Sequence, residues 1–195
     1  MVSPLPRSPA RSSVAGDWTD AQRLLVKKAH DIAVRAHQGQ TDKAGRPYIG
    51  HLSRVAAYLA TSHGPVPAAP PEAVAAGWLH DVVEDTPTTL DDLARQGLPP
   101  DLIAIVDAVT KRDAETTGAY ARRIATNPLA VLVKRADVRD NADTRRLVQL
   151  DPATRARLKT KYQQFLAILD QAVATQDPAR SERAEPLVAP VETVG

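Results

Sequence analysis

Four ionisable side chains lie close together in residues 80–85, whose sequence is His-Asp-Val-Val-Glu-Asp. The residues before them are mostly apolar, which predicts a largely buried helix. Side chains four residues apart share one face of a helix, so His80 would align with Glu84. Asp81 would align with Asp85 in a neighbouring row. Because burying three acids and a histidine is costly without a compensating cation, the segment predicts one half of a metal-dependent phosphohydrolase site.

A metal ion held by residues 80–85 needs ligands from other parts of the chain. His51 is one candidate, because it begins the apolar face of a predicted helix. Asp137 is another, because it ends a run of apolar residues and is followed by Asn141 four positions later. An ion pair between Asp137 and a neighbouring cation such as Lys134 is the structural alternative. The spacing alone leaves both interpretations open.

The composition limits both the ligands and the partners. The 195-residue chain contains no cysteine, which excludes disulfides, thiolate zinc sites and cysteine nucleophiles. Histidine and carboxylate remain, a ligand set typical of Mn, Fe or Zn hydrolase centres. A net charge of +2 is too balanced to predict nucleic-acid binding, and no apolar run approaches the roughly 20 residues of a membrane span. We expect neither a nucleic-acid nor a membrane partner, and the cytoplasm is the default location.

The elements that must position these residues are helices. Aromatic residues make up only 4% of the chain, so packing depends on aliphatic side chains, which favours a helical protein. Start and stop signals predict helices from 17 or 19 to about 36, from 47, from 72 to about 85, from 89 to 97, from 100, at 119–126, from 128 and from 152 to about 174. We predict an all-α single domain over residues 17–175, between a disordered leader, 1–16, and a disordered tail, 176–195.

Several segments together carry a family resemblance. They are residues 36–40, 43–51, 79–86, 109–110 and 133–137, together with Asn141. In this order they resemble the HD-domain superfamily, and within it the Rel/SpoT-type alarmone hydrolases, including the stand-alone small alarmone hydrolases. The resemblance covers roughly residues 20–170 and implies that the helices form a single HD-domain bundle.

The resemblance also implies a set of site residues. One divalent metal, commonly Mn²⁺, would be bound by His51, His80, Asp81 and Asp137. The acid pair that positions and activates the attacking water would be Glu84 and Asp85. Residues lining the nucleotide and phosphate site would be Lys43, Tyr48 and Asn141, with Thr144 a further candidate. The implied reaction is 3′-pyrophosphohydrolysis of a small-molecule nucleotide of the (p)ppGpp type, which releases pyrophosphate.

The chain departs from the family pattern at two places. Asp42 stands before Lys43, where many members carry an arginine that packs against the purine. Residues 136–141 read Ala-Asp-Val-Arg-Asp-Asn in place of the usual Ala-Asp-Arg-Leu-His-Asn. These departures leave the identity of the nucleotide base open. The sequence does not predict the oligomeric state either. The alternatives are an HD phosphohydrolase that acts on another nucleotide phosphate, including adenine alarmones, and a weakly active nucleotide-binding sensor.

Overall fold

The computed structural model describes residues 18–42 and 45–176. The helices of these residues are α1 (Asp20–Ala36), α2 (Ile49–Leu59), α3 (Pro71–Leu79), α4 (Val82–Asp85), α5 (Leu90–Arg95), α6 (Pro100–Val109), α7 (Thr117–Ala125), α8 (Pro128–Asn141), α9 (Thr144–Leu147) and α10 (Pro152–Gln176). Within the described ranges, β-structure is limited to two isolated bridges, Thr41–Pro47 and His63–Val66. The all-α prediction is therefore confirmed. The predicted leader, the tail beyond Gln176 and Lys43 lie outside the described residues.

The helix starts follow from local side-chain chemistry. Thr19 and Thr89 each form a capping box with the third residue of the following helix, which satisfies backbone N–H groups that the helix leaves without partners. Asn127 caps α8 by accepting hydrogen bonds from two backbone N–H groups, and a proline occupies the first turn of α3, α6 and α8. No helix of the described residues is both long enough and apolar enough to cross a membrane.

Helix α3 lies at the centre of the bundle and packs against α1, α2, α6 and α8. Its residues 73–77 are all buried. Gly77 permits the close approach of α2, because a Cβ at this position would lie 2.8 Å from Leu59 Cδ1 and 3.4 Å from Ala56 Cα. The contact between α2 and α3 therefore sets how near the start of α2, which carries His51, comes to the end of α3, which precedes His80.

The helix predicted to run from residue 72 to about residue 85 is interrupted near its C-terminal end. Helix α3 ends at Leu79, His80 and Asp81 form a turn, and the short helix α4 follows. The prediction of one continuous helix here is therefore wrong, and the two residues differ in burial, since His80 is buried and Glu84 is exposed. The interruption is local, since both turn residues keep right-handed helical torsions and the Asp85 N–H still bonds to the Asp81 carbonyl at 2.8 Å.

Candidate metal centre and adjoining cleft

Three helices bring four side chains to one buried point, which we call the metal cluster: His51, His80, Asp81 and Asp137. His51 comes from α2, His80 and Asp81 from the turn after α3, and Asp137 from α8. Candidate ligand atoms of His51, His80 and Asp137 all lie within 4.8 Å of one another. These three residues are 2–4% exposed, so the cluster lies in the protein interior.

The His80 ring is oriented by the backbone. Its Nδ1 lies 2.9 Å from the Gly77 carbonyl oxygen, which can only accept, so Nδ1 carries the proton. Its Nε2 faces the other residues of the metal cluster and lies 3.1 Å from Asp81 Oδ2 and 3.7 Å from Asp137 Oδ1. Among the described residues Nε2 has no hydrogen-bond partner. Burial opposes a charge on this ring, but Asp81 and Asp137 raise the pKa of His80 well above its ordinary value. A proton on Nε2, or a cation in its place, would therefore compensate the charge of the two carboxylates.

His51 presents the same ring nitrogen to the same point. Its Nδ1 lies 2.6 Å from Asp140 Oδ2, and its Nε2 lies 3.3 Å from Asp137 Oδ1 and 3.6 Å from Asp81 Oδ2. Burial opposes a charge on this ring, but the neighbouring carboxylates, first Asp137 and then Asp140, outweigh it and raise the pKa of His51 to about 9. The ring therefore holds a proton near neutral pH where a metal would otherwise supply the positive charge.

The two carboxylates of the metal cluster are each fixed by a further side chain. The Tyr48 hydroxyl donates to Asp81 Oδ2 at 2.6 Å. Lys134 Nζ donates to Asp137 Oδ2 at 2.8 Å, and Asn141 Nδ2 donates to Asp137 Oδ1 at 2.6 Å. Burial favours the neutral form of Asp137, but Lys134 and the two histidines hold its pKa well below the usual range. The predicted ion pair of Asp137 with Lys134 is therefore present, while the other carboxylate oxygen of Asp137 faces both histidines.

The donor set fits a divalent cation. Two imidazole nitrogens, which offer lone pairs once a metal displaces their protons, and two ionised carboxylates are the mixed N and O ligands that bind transition-metal ions in hydrolases. Each ligand has an outer partner that orients it, an arrangement usual around bound metals. The residues present can therefore hold a metal ion at this point.

The two acids of α4 lie at the protein surface, unlike the buried histidines of the metal cluster. Glu84 and Asp85 are both exposed. The Lys111 backbone N–H donates to Glu84 Oε2 at 2.9 Å, which fixes this carboxylate against the loop after α6. Asp85 instead lines a cleft, together with Tyr48. The interruption of the helix at residues 80–81 thus lies between two residues of the metal cluster, His80 and Asp81, and two solvent-facing acids, Glu84 and Asp85.

The cleft has a volume of about 360 Å³. It is lined by Thr41, Asp42, Arg46, Tyr48, Asp85, Asn141, Arg146, Leu147, Leu150, Leu158 and Tyr162. Tyr48 and Asn141 were both predicted at the nucleotide site, and both join the cleft to the metal cluster through their hydrogen bonds to its carboxylates. Thr144 is exposed and lines a different groove, between α9 and α10.

Asp42 does not present an isolated negative charge to the cleft. Its carboxylate accepts from the Arg46 backbone N–H at 3.0 Å and from Arg46 Nε and Nη2 at 3.3 and 3.2 Å. Arg146 Nη2 lies 3.8 Å from the same carboxylate. The cleft wall therefore carries two guanidinium groups, one of them four residues after the position where the family pattern has its arginine.

Sequence reasoning did not assign the outer partners of His51. Asp140 accepts from His51, and Arg54 and Arg146 both donate to Asp140. Part of the signal was present in the spacing, since Arg54 follows His51 by three residues and Asp140 follows Asp137 by three. Nothing in the sequence, however, shows that α9 folds back to bring Arg146 to the same carboxylate.

Comparison with known proteins shows the family to which the chain belongs. The chain belongs to the HD domain family, whose sequence model matches residues 29–161. This range contains the whole metal cluster and both acids of α4.

The curated relatives carry the names of enzymes that make or hydrolyse (p)ppGpp. The chain is 35% identical over 133 residues to a GTP pyrophosphokinase of Streptomyces coelicolor, an alignment that covers 64% of this chain and 15% of the relative. It is 43% identical over 82 residues to a guanosine-3′,5′-bis(diphosphate) 3′-pyrophosphohydrolase of Haemophilus influenzae, covering 42% and 11%. The bifunctional (p)ppGpp synthase/hydrolase SpoT of Escherichia coli K12 matches at 38% over 88 residues, covering 45% and 12%. The chain thus spans less than a sixth of the length of these relatives.

A solved structure has the same fold. It is a metazoan orthologue of SpoT, described as hydrolysing ppGpp and acting in starvation responses. The two structures superpose with a TM-score of 0.55 at 22% sequence identity, over 85% of this chain and 98% of the other. The predicted membership of the HD-domain superfamily, with Rel/SpoT-type relatives, is confirmed.

Proposed function

We propose that this chain is a metal-dependent 3′-pyrophosphohydrolase of (p)ppGpp-like alarmone nucleotides. The observation that carries the proposal is the convergence of two histidine Nε2 atoms with Asp81 and Asp137 beside a cleft that also carries Asp85. A metal cluster alone would fit many hydrolases. The neighbouring cleft, with acidic, cationic and apolar lining, adds the space and chemistry that a nucleotide phosphate requires.

The metal cluster would hold one divalent cation, which we propose to be Mn²⁺. Bound there, the cation would lower the pKa of a coordinated water molecule and offset negative charge on the phosphoryl oxygens. The protein's own contribution is orientation. Gly77 and Asp140 set the two imidazole rings, and Tyr48 and Lys134 set the two carboxylates, so that little reorganisation accompanies binding.

Glu84 and Asp85 would orient the attacking water and accept its proton. Both carboxylates face solvent and lie within a few residues of the metal ligands His80 and Asp81. A positioned carboxylate that takes a proton in the transition state typically accelerates a reaction by roughly 10² to 10⁴. The hydrogen bond from Lys111 to Glu84 holds one of these acids in place, whereas Asp85 borders the cleft.

The cleft would bind the nucleotide. Arg46 and Arg146 supply positive charge on one part of its wall, where phosphate oxygens bind well because guanidinium groups donate paired hydrogen bonds. Leucine and tyrosine side chains on α9 and α10 supply an apolar surface for a base. Lys43, which lies outside the described residues, is proposed to contact the same ligand, as are Tyr48 and Asn141. Thr144 lines the neighbouring groove and would reach the nucleotide only through a movement of α9.

The purified protein, incubated with ppGpp or pppGpp and Mn²⁺, is expected to release pyrophosphate. Glu84→Gln is expected to reduce turnover by roughly 10² or more while leaving the fold intact. Asp91→Asn, which alters an exposed acid of α5, is the matched control and should retain full activity. Unchanged turnover in Glu84→Gln would contradict the role proposed for this acid and favour a nucleotide-binding sensor.

One observation supports a second candidate substrate. Where many family members have an arginine, this chain has Asp42, engaged by Arg46, so the cationic wall of the cleft is built differently. An adenine alarmone is therefore the alternative nucleotide. Parallel assays with guanine and adenine 3′-pyrophosphorylated nucleotides would decide between them by the ratio of kcat/KM, and release of monophosphate from ordinary nucleotides would favour a third class of substrate.

A further inference from the structure

A carboxylate on the outer side of the metal cluster contacts the His51 ring. Asp140 follows Asp137 by three residues on α8, so both carboxylates project from neighbouring parts of one helix face. Asp137 meets His51 at Nε2, at 3.3 Å, whereas Asp140 meets the opposite ring nitrogen, Nδ1, at 2.6 Å. The imidazole of His51 is therefore held between two acids of the same helix.

Asp140 is itself fixed by two arginines. Arg54 lies one turn after His51 on α2 and donates from Nε to Oδ1 at 2.6 Å and from Nη2 to Oδ2 at 3.1 Å. Arg146, from α9, donates to Oδ2 as well. The Asp140 side chain is only 9% exposed. A carboxylate held by a two-bond guanidinium contact and a second arginine has a defined position and remains an acceptor.

The two histidines of the metal cluster are thus oriented by different partners. His80 is oriented by the Gly77 carbonyl, which belongs to the backbone and is present whatever the side chain there. His51 is oriented by a side chain that stands where the family pattern carries histidine, so the family resemblance does not imply this contact. The orientation of the His51 ring therefore depends on a residue that departs from the family pattern.

We propose that Asp140, clamped by Arg54 and Arg146, is a positioning residue that keeps the proton of His51 on Nδ1 and so presents the Nε2 lone pair to a divalent cation. The proposal rests on the metal-binding part of the proposed function. Outer carboxylate partners of metal-bound histidines fix the tautomer and ring orientation, and their removal typically costs roughly 10- to 100-fold in metal affinity.

The first test is the affinity of the metal-free protein for Mn²⁺, measured by titration calorimetry without any nucleotide. Asp140→Ala is expected to weaken binding by roughly 10- to 100-fold. Asp140→Asn should weaken it less, because the amide oxygen can still accept from Nδ1. Asp170→Asn is the matched control: it alters a carboxylate that accepts from Arg135 on the surface between α8 and α10, and it should leave affinity unchanged.

A second readout separates positioning from a merely structural role. In protein labelled with ¹⁵N-histidine and loaded with Zn²⁺ as a diamagnetic probe, long-range ¹H–¹⁵N correlations report which His51 nitrogen carries the proton. We expect a slowly exchanging Nδ1 proton in the wild type and fast exchange of that proton in Asp140→Ala. A wild-type His51 that binds Zn²⁺ through Nδ1, or an Asp140→Ala variant with unchanged Mn²⁺ affinity, would overturn the proposal.

These outcomes are distinguishable from failure of the proposed function. If no alarmone is hydrolysed but Asp140→Ala weakens Mn²⁺ binding, the positioning role stands and the substrate assignment fails. If the alarmone is hydrolysed and Asp140→Ala binds Mn²⁺ as tightly as the wild type, only the positioning role fails.

Discussion

At the scale of single residues, each side chain of the metal cluster is oriented by a hydrogen bond to a residue outside the cluster. Tyr48 shows this most clearly, because it belongs to the cleft wall and also donates to Asp81 at 2.6 Å. Burial, followed by the nearby charge of Asp81, raises the pKa of the Tyr48 hydroxyl, so it remains a neutral donor across the physiological range. The residue predicted to line the nucleotide site therefore also orients a proposed metal ligand, Asp81.

Tyr48→Phe removes this donor and little else. The ring of Tyr48 stacks on His37 at a centroid distance of 5.1 Å, and phenylalanine keeps that contact. A hydrogen bond to a charged group contributes roughly 1.5–3 kcal/mol, so we expect kcat/KM to fall by roughly tenfold or more. Steady-state kinetics and Mn²⁺ titration check this. If both stay at wild-type values, Tyr48 does not orient Asp81.

At the scale of elements, the approach of α2 to α3 sets the distance between the two histidines. Gly77 makes this approach possible, because its missing side chain leaves room for Leu59 and the backbone of Ala56. The same residue offers the carbonyl that orients His80. Gly77 therefore determines both the spacing of α2 and α3 and the orientation of the His80 ring.

Gly77→Ala is expected to destabilise the protein by about 1–3 kcal/mol, because the new methyl group overpacks the contact between α2 and α3. It should also weaken Mn²⁺ binding, since separation of the helices moves His51 away from His80. Gly118→Ala in α7 is the control, because there the nearest neighbour of an added Cβ is the flexible end of Arg122 at 3.5 Å. Urea unfolding measures both variants, and equal stability of the two would show that the α2–α3 contact tolerates a methyl group.

The loop between α6 and α7 holds Glu84 and is itself held by Arg123. The Arg123 guanidinium donates to the carbonyls of Asp107, Ala108 and Thr110 and to the Glu115 carboxylate. Lys111, whose N–H binds Glu84, lies within this loop. The hydrogen bonds from Arg123 hold the pKa of Glu115 below its ordinary value of 4.5. The position of a proposed catalytic acid therefore depends on an ion pair in another element.

A lowered pKa in the folded state means that ionised Glu115 stabilises the fold above pH 4.5 and that this contribution is lost as the pH falls through the folded value. Glu115→Gln should therefore lower the free energy of unfolding at pH 7 by about 1 kcal/mol. The difference from the wild type should shrink steadily below pH 4.5. Urea titrations at several pH values test this, and a difference that stays constant down to pH 3 would exclude the ion pair as its cause.

The particular elements show what the sequence could and could not predict. Thr19, Asn127 and the prolines of α3, α6 and α8 act within one or two turns, so the helix starts that they set could be read from their order. The interruption at His80 and Asp81 could not, because both residues keep right-handed helical torsions within a sequence that continues the helical pattern. The contacts of Asp140 with Arg54 and Arg146 join residues 86 and 6 positions apart, and no local pattern reports them.

At the scale of the whole molecule, the four residues of the metal cluster come from α2, from the turn after α3 and from α8. A cation bound by α2, the turn after α3, and α8 would link elements that otherwise rely on aliphatic packing. A ligand that binds only the folded state stabilises it by about 2.7 kcal/mol at a concentration 100 times its Kd. Metal binding should therefore be visible as a change in global stability.

Removal of the metal is expected to lower the Tm by roughly 5–10 °C, because about 1 kcal/mol corresponds to about 2–4 °C in a chain of this size. Addition of Mn²⁺ should restore the original Tm. His80→Ala should melt at one temperature with or without Mn²⁺, since it removes a buried ligand. Calorimetric melting of the wild type and variant checks this, and an Mn²⁺-dependent shift that persists in His80→Ala would place the metal elsewhere.

The central claim is that this metal cluster and cleft together cleave a 3′-pyrophosphate from an alarmone nucleotide. The most direct measurement is product analysis after incubation of the purified protein with ppGpp and Mn²⁺. The proposed function predicts GDP and pyrophosphate in equal amounts, formation that stops on chelation of the metal, and no products from His80→Ala. Absence of pyrophosphate from both guanine and adenine alarmones, or its release after complete removal of the metal, would contradict it.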